Sequence, residues 1–272
     1  MASLTGIHWC DRIITLRATS TSPAEWRKPI KWNDQAEDAQ TRMRVFCASL
    51  ADVFEDRPDV ATWRRDLFQL IERCQNLDWL LLTKRPDSAA KLLPKQLTRN
   101  VWLGVSVRNA ETFDLAEKAV ELKSRVGKVF LSIEPIVDRV RRMSTAWHEI
   151  DWAIVGGESG PRARLSHLDH IQEVIDLCFT YEKPVFVKQL GSRPAISYYD
   201  DDAFREKALD LTHTVWQYVG NPYGRVNQYV EWDHQKFGQP HPQSVIELRL
   251  EDPMGGNPDE WPRQFQVRQF PV

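Results

Sequence analysis

The feature that most constrains the fold is a series of short, continuous apolar runs, each followed by a segment with helical periodicity. Strands that are buried on both faces by crossover helices have this pattern, because neither face needs polar residues. Alternating strands and helices require right-handed crossovers and a mostly parallel sheet, either open and doubly wound or curled toward a barrel. The predicted strands are Gly6–Trp9, Val45–Ala48, Trp79–Leu82, Val101–Val105, Val129–Ile133, Trp152–Val155 and Val185–Val187.

The segments between these strands carry apolar residues at three- and four-residue steps, which places them on one face of a helix. In Asp59–Gln75, for example, Trp63 and Leu67 share such a face. A series of strands that each feed a helix favours a partial parallel β/α barrel. The other predicted helices are Ala110–Ser124, Leu168–Tyr181, a shorter one that begins at Pro86, and one that contains Val140, Met143 and Trp147.

The composition changes after Gly191. Residues 192–262 contain several prolines and a run of three aspartates, which predicts an irregular excursion of loops and short antiparallel pieces. Ser244–Leu250 alternates and predicts a strand, and Gln264–Phe270 alternates again and is expected to dock on the body as an edge strand. We therefore expect a partial barrel over residues 1–191 and a loop-rich excursion with short strands over residues 192–272.

The bulk composition excludes several classes of protein. Lys and Arg total 36 against 38 for Asp and Glu, so the net charge of −2 gives no overall field for nucleic acid or acidic membranes. No apolar stretch approaches the roughly 20 residues of a membrane span, and the amino terminus lacks the pattern of a secretory signal. We expect a cytoplasmic protein without a membrane partner. The seven histidines form no zinc-binding pattern such as HxH or HExxH.

Ligands of parallel β/α proteins bind beyond the carboxyl ends of the strands, where loops and helix amino termini converge. Gly156 and Gly157 either permit a tight turn or let the backbone approach a phosphate, carboxylate or nucleotide. Thr83–Pro86 is either an anion clamp or a solvated turn. The candidate cofactor-binding residues at the strand ends are Ser49, Asp52, Lys84, Arg85, Ser106, Gly156, Gly157 and Glu158.

Glu134 follows the apolar run VFLSI, so its carboxylate is expected close to the core and needs a partner. Lys188, at the end of another interior strand, is the predicted partner. The pair is interpreted as the candidate catalytic pair or a binding site, and the alternative is an ion pair that stabilises the barrel. An enzyme that used Glu134 and Lys188 as acid and base would lose its turnover on Glu134→Gln.

Six strings occur in a characteristic order: VFCASLADVFED, DWLLLTKRP, NVWLGVSVRN, VFLSIEPI, DWAIVGGESGPRAR and PVFVKQLG. With GGNPDEWPRQFQVRQFP near the carboxyl terminus, they resemble a phage-associated family of unknown function that is related to radical-SAM enzymes. The resemblance implies a partial barrel whose first strand leads into a loop with three closely spaced cysteines. Such thiolates hold a four-iron cluster that binds and cleaves S-adenosylmethionine. It also implies a phage protein or a three-cysteine-motif protein as partner.

This chain departs from that pattern at its start. Thr5–Asp11 resembles the opening strand of the family, and Ala24–Pro29 resembles the segment that follows the cysteine loop, but the loop itself is missing. The cysteines, Cys10, Cys47, Cys74 and Cys178, lack the close spacing of cluster ligands. We therefore expect reduced thiols, no cofactor bound through cysteines, no iron–sulfur cluster and no radical chemistry.

A nucleotide or S-adenosylmethionine pocket lined by the strand-end residues is expected to remain. The sequence leaves open whether the missing loop reflects degeneration, a deletion, a misread start or reuse for binding. It also leaves open the parent family's substrate and the oligomeric state.

The alternative function is a binding module for nucleic acid or for a phage-encoded partner. It rests on five arginines and on the aromatic residues of the excursion over residues 198–232. A charge run of this kind is usually a solvated face. A salt-dependent shift with single- or double-stranded probes would distinguish this module from a cofactor pocket. The arginines are Arg139, Arg141, Arg142, Arg162 and Arg164.

Overall fold

The computed structural model describes residues 10–14, 22–47, 51–95, 99–140, 144–197, 245–247 and 250–271. In these ranges the chain is a mixed α/β structure built on a curled, seven-stranded parallel sheet that forms a half-barrel. Each strand of this sheet pairs in parallel with the one before it. The strands, in spatial order, are β1 (Arg12–Ile14), β2 (Met43–Cys47), β3 (Leu77–Thr83), β4 (Val101–Ser106), β5 (Lys128–Ile133), β6 (Trp152–Gly156) and β8 (Val185–Gln189).

The six strands predicted from Val45 onward are confirmed. The predicted strand Gly6–Trp9 lies outside the described residues. The strand β1, which was not predicted, lies at the edge of the sheet, where Ile14 is buried but Ile13 is 54% exposed. An edge strand of three residues with one buried side chain produces no apolar run, so the pattern could not reveal it.

The helices cover the outer face of the half-barrel: α1 (Pro23–Asp38), α2 (Pro58–Arg73), α3 (Pro86–Leu92), α4 (Asp114–Val120), α5 (Ala146–Glu149) and α6 (Leu168–Thr180). The predictions for α2, α3 and α6 are confirmed. The helix α1 was not predicted because it contains Pro29 and buries only that residue and Ala36, which leaves a weak helical signal.

Two helix predictions need correction. The predicted helix Ala110–Ser124 is divided into the 3-10 turn Ala110–Phe113, α4 and the 3-10 turn Lys123–Arg125. A capping box between Asn109 and Thr112 closes the first turn. The helix predicted around Val140 and Trp147 is only the single turn α5, and Met143 lies outside the described residues.

Aromatic side chains fill the inner face of the half-barrel. They form a cluster separate from the outer core, in which Trp102 and Trp152 meet edge to face at 6.1 Å between ring centroids. Gly104 leaves room for this packing, because a Cβ there would lie 2.2 Å from the ring of Phe130. The buried members of this inner aromatic cluster are Leu80, Trp102, Phe130, Trp152, Ile154 and Phe186.

The carboxyl-terminal segment closes the inner aromatic cluster. Phe270 packs 5.6 Å from Trp152 and 5.3 Å from Phe186. The predicted docking of this segment at a sheet edge is confirmed, but as an isolated antiparallel bridge between Phe186 and Arg268 rather than as a continuous strand.

A second, three-stranded sheet lies beside the half-barrel. It contains β7 (Ser166–His167), β9 (Pro194–Ser197) and β10 (Val245–Glu247), with β9 in the middle. The strand predicted within Ser244–Leu250 is confirmed as β10. Among the helices of the described residues, none has the length and apolar character needed to cross a membrane.

Candidate functional site at the carboxyl ends of the strands

The predicted pairing of Glu134 with Lys188 is confirmed. The Nζ atom of Lys188 donates a hydrogen bond to Oε2 of Glu134 at 3.3 Å and lies 3.2 Å from Oε1. The Oε1 atom is buried and has no hydrogen-bond partner within the described structure. The side chain of Glu134 is 15% exposed and that of Lys188 is 33% exposed. The pair therefore presents a buried carboxylate oxygen that can accept a further hydrogen bond.

The alternation of β5 explains why a carboxylate reaches this position. Phe130 belongs to the inner aromatic cluster, and Ser132 and Glu134 follow it at two-residue steps, so the three side chains project from the same face. Lys188 follows Phe186 on β8 in the same way. The inner face thus changes from aromatic to polar toward the carboxyl ends of the strands.

Burial raises the pKa of the Glu134 carboxyl above its ordinary value. The positive charge of Lys188 and hydrogen bonds from Lys188 and Ser132 act in the opposite direction. Ser132 was not predicted as a site residue, although its position two residues before Glu134 was a signal that could have revealed it. Burial is therefore the largest influence on this pKa, and the Lys188 charge and the two hydrogen bonds oppose it.

Gly156 and Gly157 are required by close packing in this region. A Cβ at Gly156 would lie 2.9 Å from Oε1 of Glu134, and a Cβ at Gly157 would lie 2.2 Å from the carbonyl oxygen of Leu190. At Gly157 it would also lie 2.3 Å from Oγ of Ser166, a buried atom with no hydrogen-bond partner among the described residues. Gly156 thus lets the backbone of β6 approach the Glu134 carboxylate closely.

Glu158 is held within its own loop. Its Oε2 atom accepts hydrogen bonds from Nε of Arg164 at 2.6 Å and from the backbone N–H of Arg164 at 3.1 Å. These bonds lower the pKa of the Glu158 carboxyl. The geometry indicates that Glu158 organises the loop after β6.

Asp52 organises the loop after β3. Its carboxylate accepts hydrogen bonds from Oγ1 of Thr83 at 2.9 Å, from Nη1 of Arg85 at 2.8 Å and from the backbone N–H of Phe54 at 2.9 Å. The backbone N–H of Lys84 donates a longer bond of 3.4 Å. Arg85 is thus paired with the carboxylate of Asp52. This pairing favours the interpretation of Thr83–Pro86 as a turn over its interpretation as an anion clamp.

The other predicted residues are placed as follows. Ser106 is buried at the end of β4, opposite Ser132 on β5. Lys84 is exposed, and Ser49 lies outside the described residues. Within the described ranges, the hydrogen bonds of Asp52 and of Glu158 go to the residues named above and do not reach Glu134. The structure therefore brings Glu134 and Lys188 into direct contact and places Gly156 beside Oε1 of Glu134, whereas Asp52 and Glu158 are bound to other partners.

Residues 5–235 match a family described as a protein of unknown function, DUF5131. The chain belongs to the DUF5131 family. No curated protein and no solved structure matches the sequence. The family match spans the half-barrel, including both members of the Glu134–Lys188 pair.

The cysteines of this DUF5131 member do not fit an iron–sulfur cluster. Cys47, Cys74 and Cys178 belong to the outer core between sheet and helices, away from the inner face that carries Glu134. Burial raises the pKa of Cys10 and Cys74 to about 11 and that of Cys178 to about 12, and it raises that of Cys47 still further. Cluster ligands must be thiolates, and burial disfavours the thiolate form at all four cysteines. In the described ranges no three His, Cys, Asp or Glu side chains are placed to hold a metal ion.

Two of the five arginines considered for nucleic-acid binding have carboxylate partners in this DUF5131 structure. Arg139 contacts Asp169 at 3.1 Å and Glu173 at 3.2 Å. Arg164 is bound to Glu158 as described above. Arg141, Arg142 and residues 198–232 lie outside the described ranges. The described part of this set therefore carries less free positive charge than its sequence suggests.

Proposed function

We propose that this DUF5131 member is a phage-type, radical-SAM-like protein that binds S-adenosylmethionine, or a nucleotide with the same adenosyl group, without cleaving it. The observation that carries the proposal is the buried Oε1 atom of Glu134, which has no hydrogen-bond partner in the described structure. Oε1 lies 3.2 Å from the Lys188 ammonium, which offsets its charge, but it accepts no hydrogen bond there, so a ligand donor would add one. The half-barrel and the ordered sequence strings support the radical-SAM-like assignment.

The chemistry of S-adenosylmethionine matches the pair. Its ammonium group and ribose hydroxyls are donors for the Glu134 carboxylate, and its own carboxylate is an acceptor for the Lys188 ammonium. Gly156 places no side chain against Oε1, where a Cβ atom would lie 2.9 Å away. Binding without radical cleavage follows from the cysteines, since the chain offers no set of three thiolates for a cluster.

Calorimetric titration of the full chain with S-adenosylmethionine tests this proposal. We expect one binding site, and we expect Glu134→Gln to weaken the affinity by roughly 10-fold or more, because a charge-assisted hydrogen bond is lost. The matched control is Glu149→Gln, which makes the same change on an exposed glutamate of α5. This control should bind like the unmodified protein.

Adenosine and methionine serve as separate probes. Binding of S-adenosylmethionine that depends on Glu134, with weaker binding of either fragment, supports the proposal. Binding of adenosine alone at full affinity supports the nucleotide form of it. If neither heat nor thermal stabilisation accompanies millimolar S-adenosylmethionine or adenosine, the proposed pocket does not exist.

A further inference from the structure

A cavity of about 630 Å³ lies at the amino-terminal end of the sheet. The opposite end, where the carboxyl ends of the strands and Glu134 lie, is called the mouth here. Arg42 immediately precedes β2, Arg99 precedes β4 and Lys128 begins β5. These strands are parallel neighbours in one sheet, so their first residues lie at the same end. The aromatic rings of Trp102 and Phe270 form part of the wall. The cavity volume falls within the roughly 300–1,000 Å³ that small-molecule sites occupy.

Positive charge is concentrated in this cavity. Its lining contains four basic side chains, Arg42, Arg44, Arg99 and Lys128, but one carboxylate, that of Asp78. The whole chain has a net charge of −2, so this concentration does not reflect the average composition. A concave surface lined by charges of one sign focuses the field and raises the local concentration of the opposite ion.

The existing contacts offset only part of this charge. Arg42 donates two hydrogen bonds to Oδ1 of Asp78, at 2.9 and 2.7 Å. Arg44 pairs with Asp11 at 3.2 Å, and its guanidinium lies 3.7 Å from the ring centroid of Phe270. Arg99 is exposed and forms no ion pair within the described part of the chain. The charge of Arg99 is therefore not offset by a carboxylate of the described residues.

We propose that this cavity is a second binding site, specific for a small ligand that carries a diphosphate or triphosphate group. The guanidinium fork fits phosphate oxygens, and the ammonium of Lys128 adds a point charge. Because the lining holds more basic than acidic side chains, it favours a group with several negative charges over a neutral or singly charged one. The packing around Arg99 is fixed by Gly127, where a Cβ would lie 1.7 Å from the carbonyl oxygen of Arg99. The arginine is therefore held against the start of β5 by its backbone.

Calorimetric titrations with inorganic pyrophosphate and with ATP, at low and at high ionic strength, test the proposal. We expect both probes to bind, with affinity that falls as salt increases. Arg99→Glu should weaken both by about 10-fold or more, because it removes one cation and adds a repulsive charge. Equal affinities would assign recognition to the phosphates alone. Tighter binding of ATP that persists in Glu134→Gln and is lost in Arg99→Glu would add a contribution from the nucleoside at this cavity; both results support the site.

The matched control is Arg65→Glu, which makes the same charge change at an arginine on α2 that is 66% exposed and, within the described residues, pairs with its neighbour Asp66 alone. Both arginines are exposed, so both variants should retain the thermal midpoint of the unmodified protein. Glu134→Gln should leave pyrophosphate binding unchanged, which separates this site from the mouth. The proposal is overturned if neither probe binds at low salt, or if Arg65→Glu weakens binding as much as Arg99→Glu.

Discussion

Replacement of Lys188 by methionine tests the energetic role of the Glu134–Lys188 pair. The change keeps a long apolar side chain but leaves the Glu134 carboxylate without its positive partner. At the observed separation of 3.2 Å, Coulomb attraction amounts to about 5 kcal/mol at an effective dielectric constant of about 20. Lys188 is 33% exposed, so water screens the pair and the ammonium pays a smaller desolvation cost. We expect a net loss of about 2 kcal/mol in the free energy of unfolding at neutral pH.

The loss should depend on pH in a defined direction. Burial already raises the folded-state pKa of Glu134, so the stability that the protonated carboxyl provides is lost as pH rises through that pKa. Lys188 lowers this pKa, and its removal therefore raises the pKa further. The difference between Lys188→Met and the unmodified protein should be largest at neutral pH and shrink toward about pH 4, where the carboxyl is protonated in both.

Urea denaturation across this pH range, on a double-mutant cycle with Glu134→Gln, is the appropriate assay. In the Glu134→Gln background, the additional Lys188→Met change should lower the free energy of unfolding much less, because no buried carboxylate is left without its positive partner. A loss that is independent of pH, or two substitutions whose effects simply add, would refute the electrostatic account. The cycle isolates the pair from the other contacts of Lys188.

Three further predictions follow from packing and burial. Gly157→Ala should lower the free energy of unfolding in urea by more than about 2 kcal/mol, because the new Cβ clashes with Leu190 and Ser166. The control is Gly160→Ala, where φ is +111° but nothing lies within 4 Å, and it should cost about 1 kcal/mol in the same assay. Equal losses for the two variants would contradict the packing described for Gly157. Phe270→Ala should lower stability by about 2 kcal/mol through loss of its contacts with the inner aromatic cluster, measured by thermal unfolding; an unchanged midpoint would show that the segment does not close the half-barrel. All four cysteines are buried and have raised pKa values, so a thiol reagent at pH 7 should label the native protein far more slowly than the urea-unfolded chain, and fast native labelling would be inconsistent with this burial.

The sequence was sufficient to predict the buried strands and the longest regular helices. A strand covered on both faces must be apolar throughout, which is why β3, β4 and β6 stand out as runs. The apolar pattern did not reveal the elements that bury few side chains. These are β1, at the edge of the sheet, and α1, which contains Pro29. A periodic pattern of apolar residues arises when one face of an element is buried. These two elements bury too few side chains to produce such a pattern.

The pairing of Glu134 with Lys188 was also predictable, since a carboxylate at the end of an apolar strand requires a partner and Lys188 lies at the end of another strand of the same sheet. Only the tertiary structure showed that Asp52 accepts hydrogen bonds from Thr83 and Arg85, and that Glu158 accepts one from Arg164. Each strand-end residue has a predictable location, but the direction and partners of its side chain depend on the loops around it.

By itself, the sequence determined the parallel β/α architecture and the polar mouth, because strand burial and alternation are encoded within a few consecutive residues. The basic cavity at the opposite end was decided by the tertiary structure alone. It joins Arg42, Arg99, Lys128 and Phe270, which are widely separated along the chain and meet only through sheet register and the return of the carboxyl-terminal segment. No local pattern carries that information, because the contact depends on pairing between strands rather than on periodicity within one.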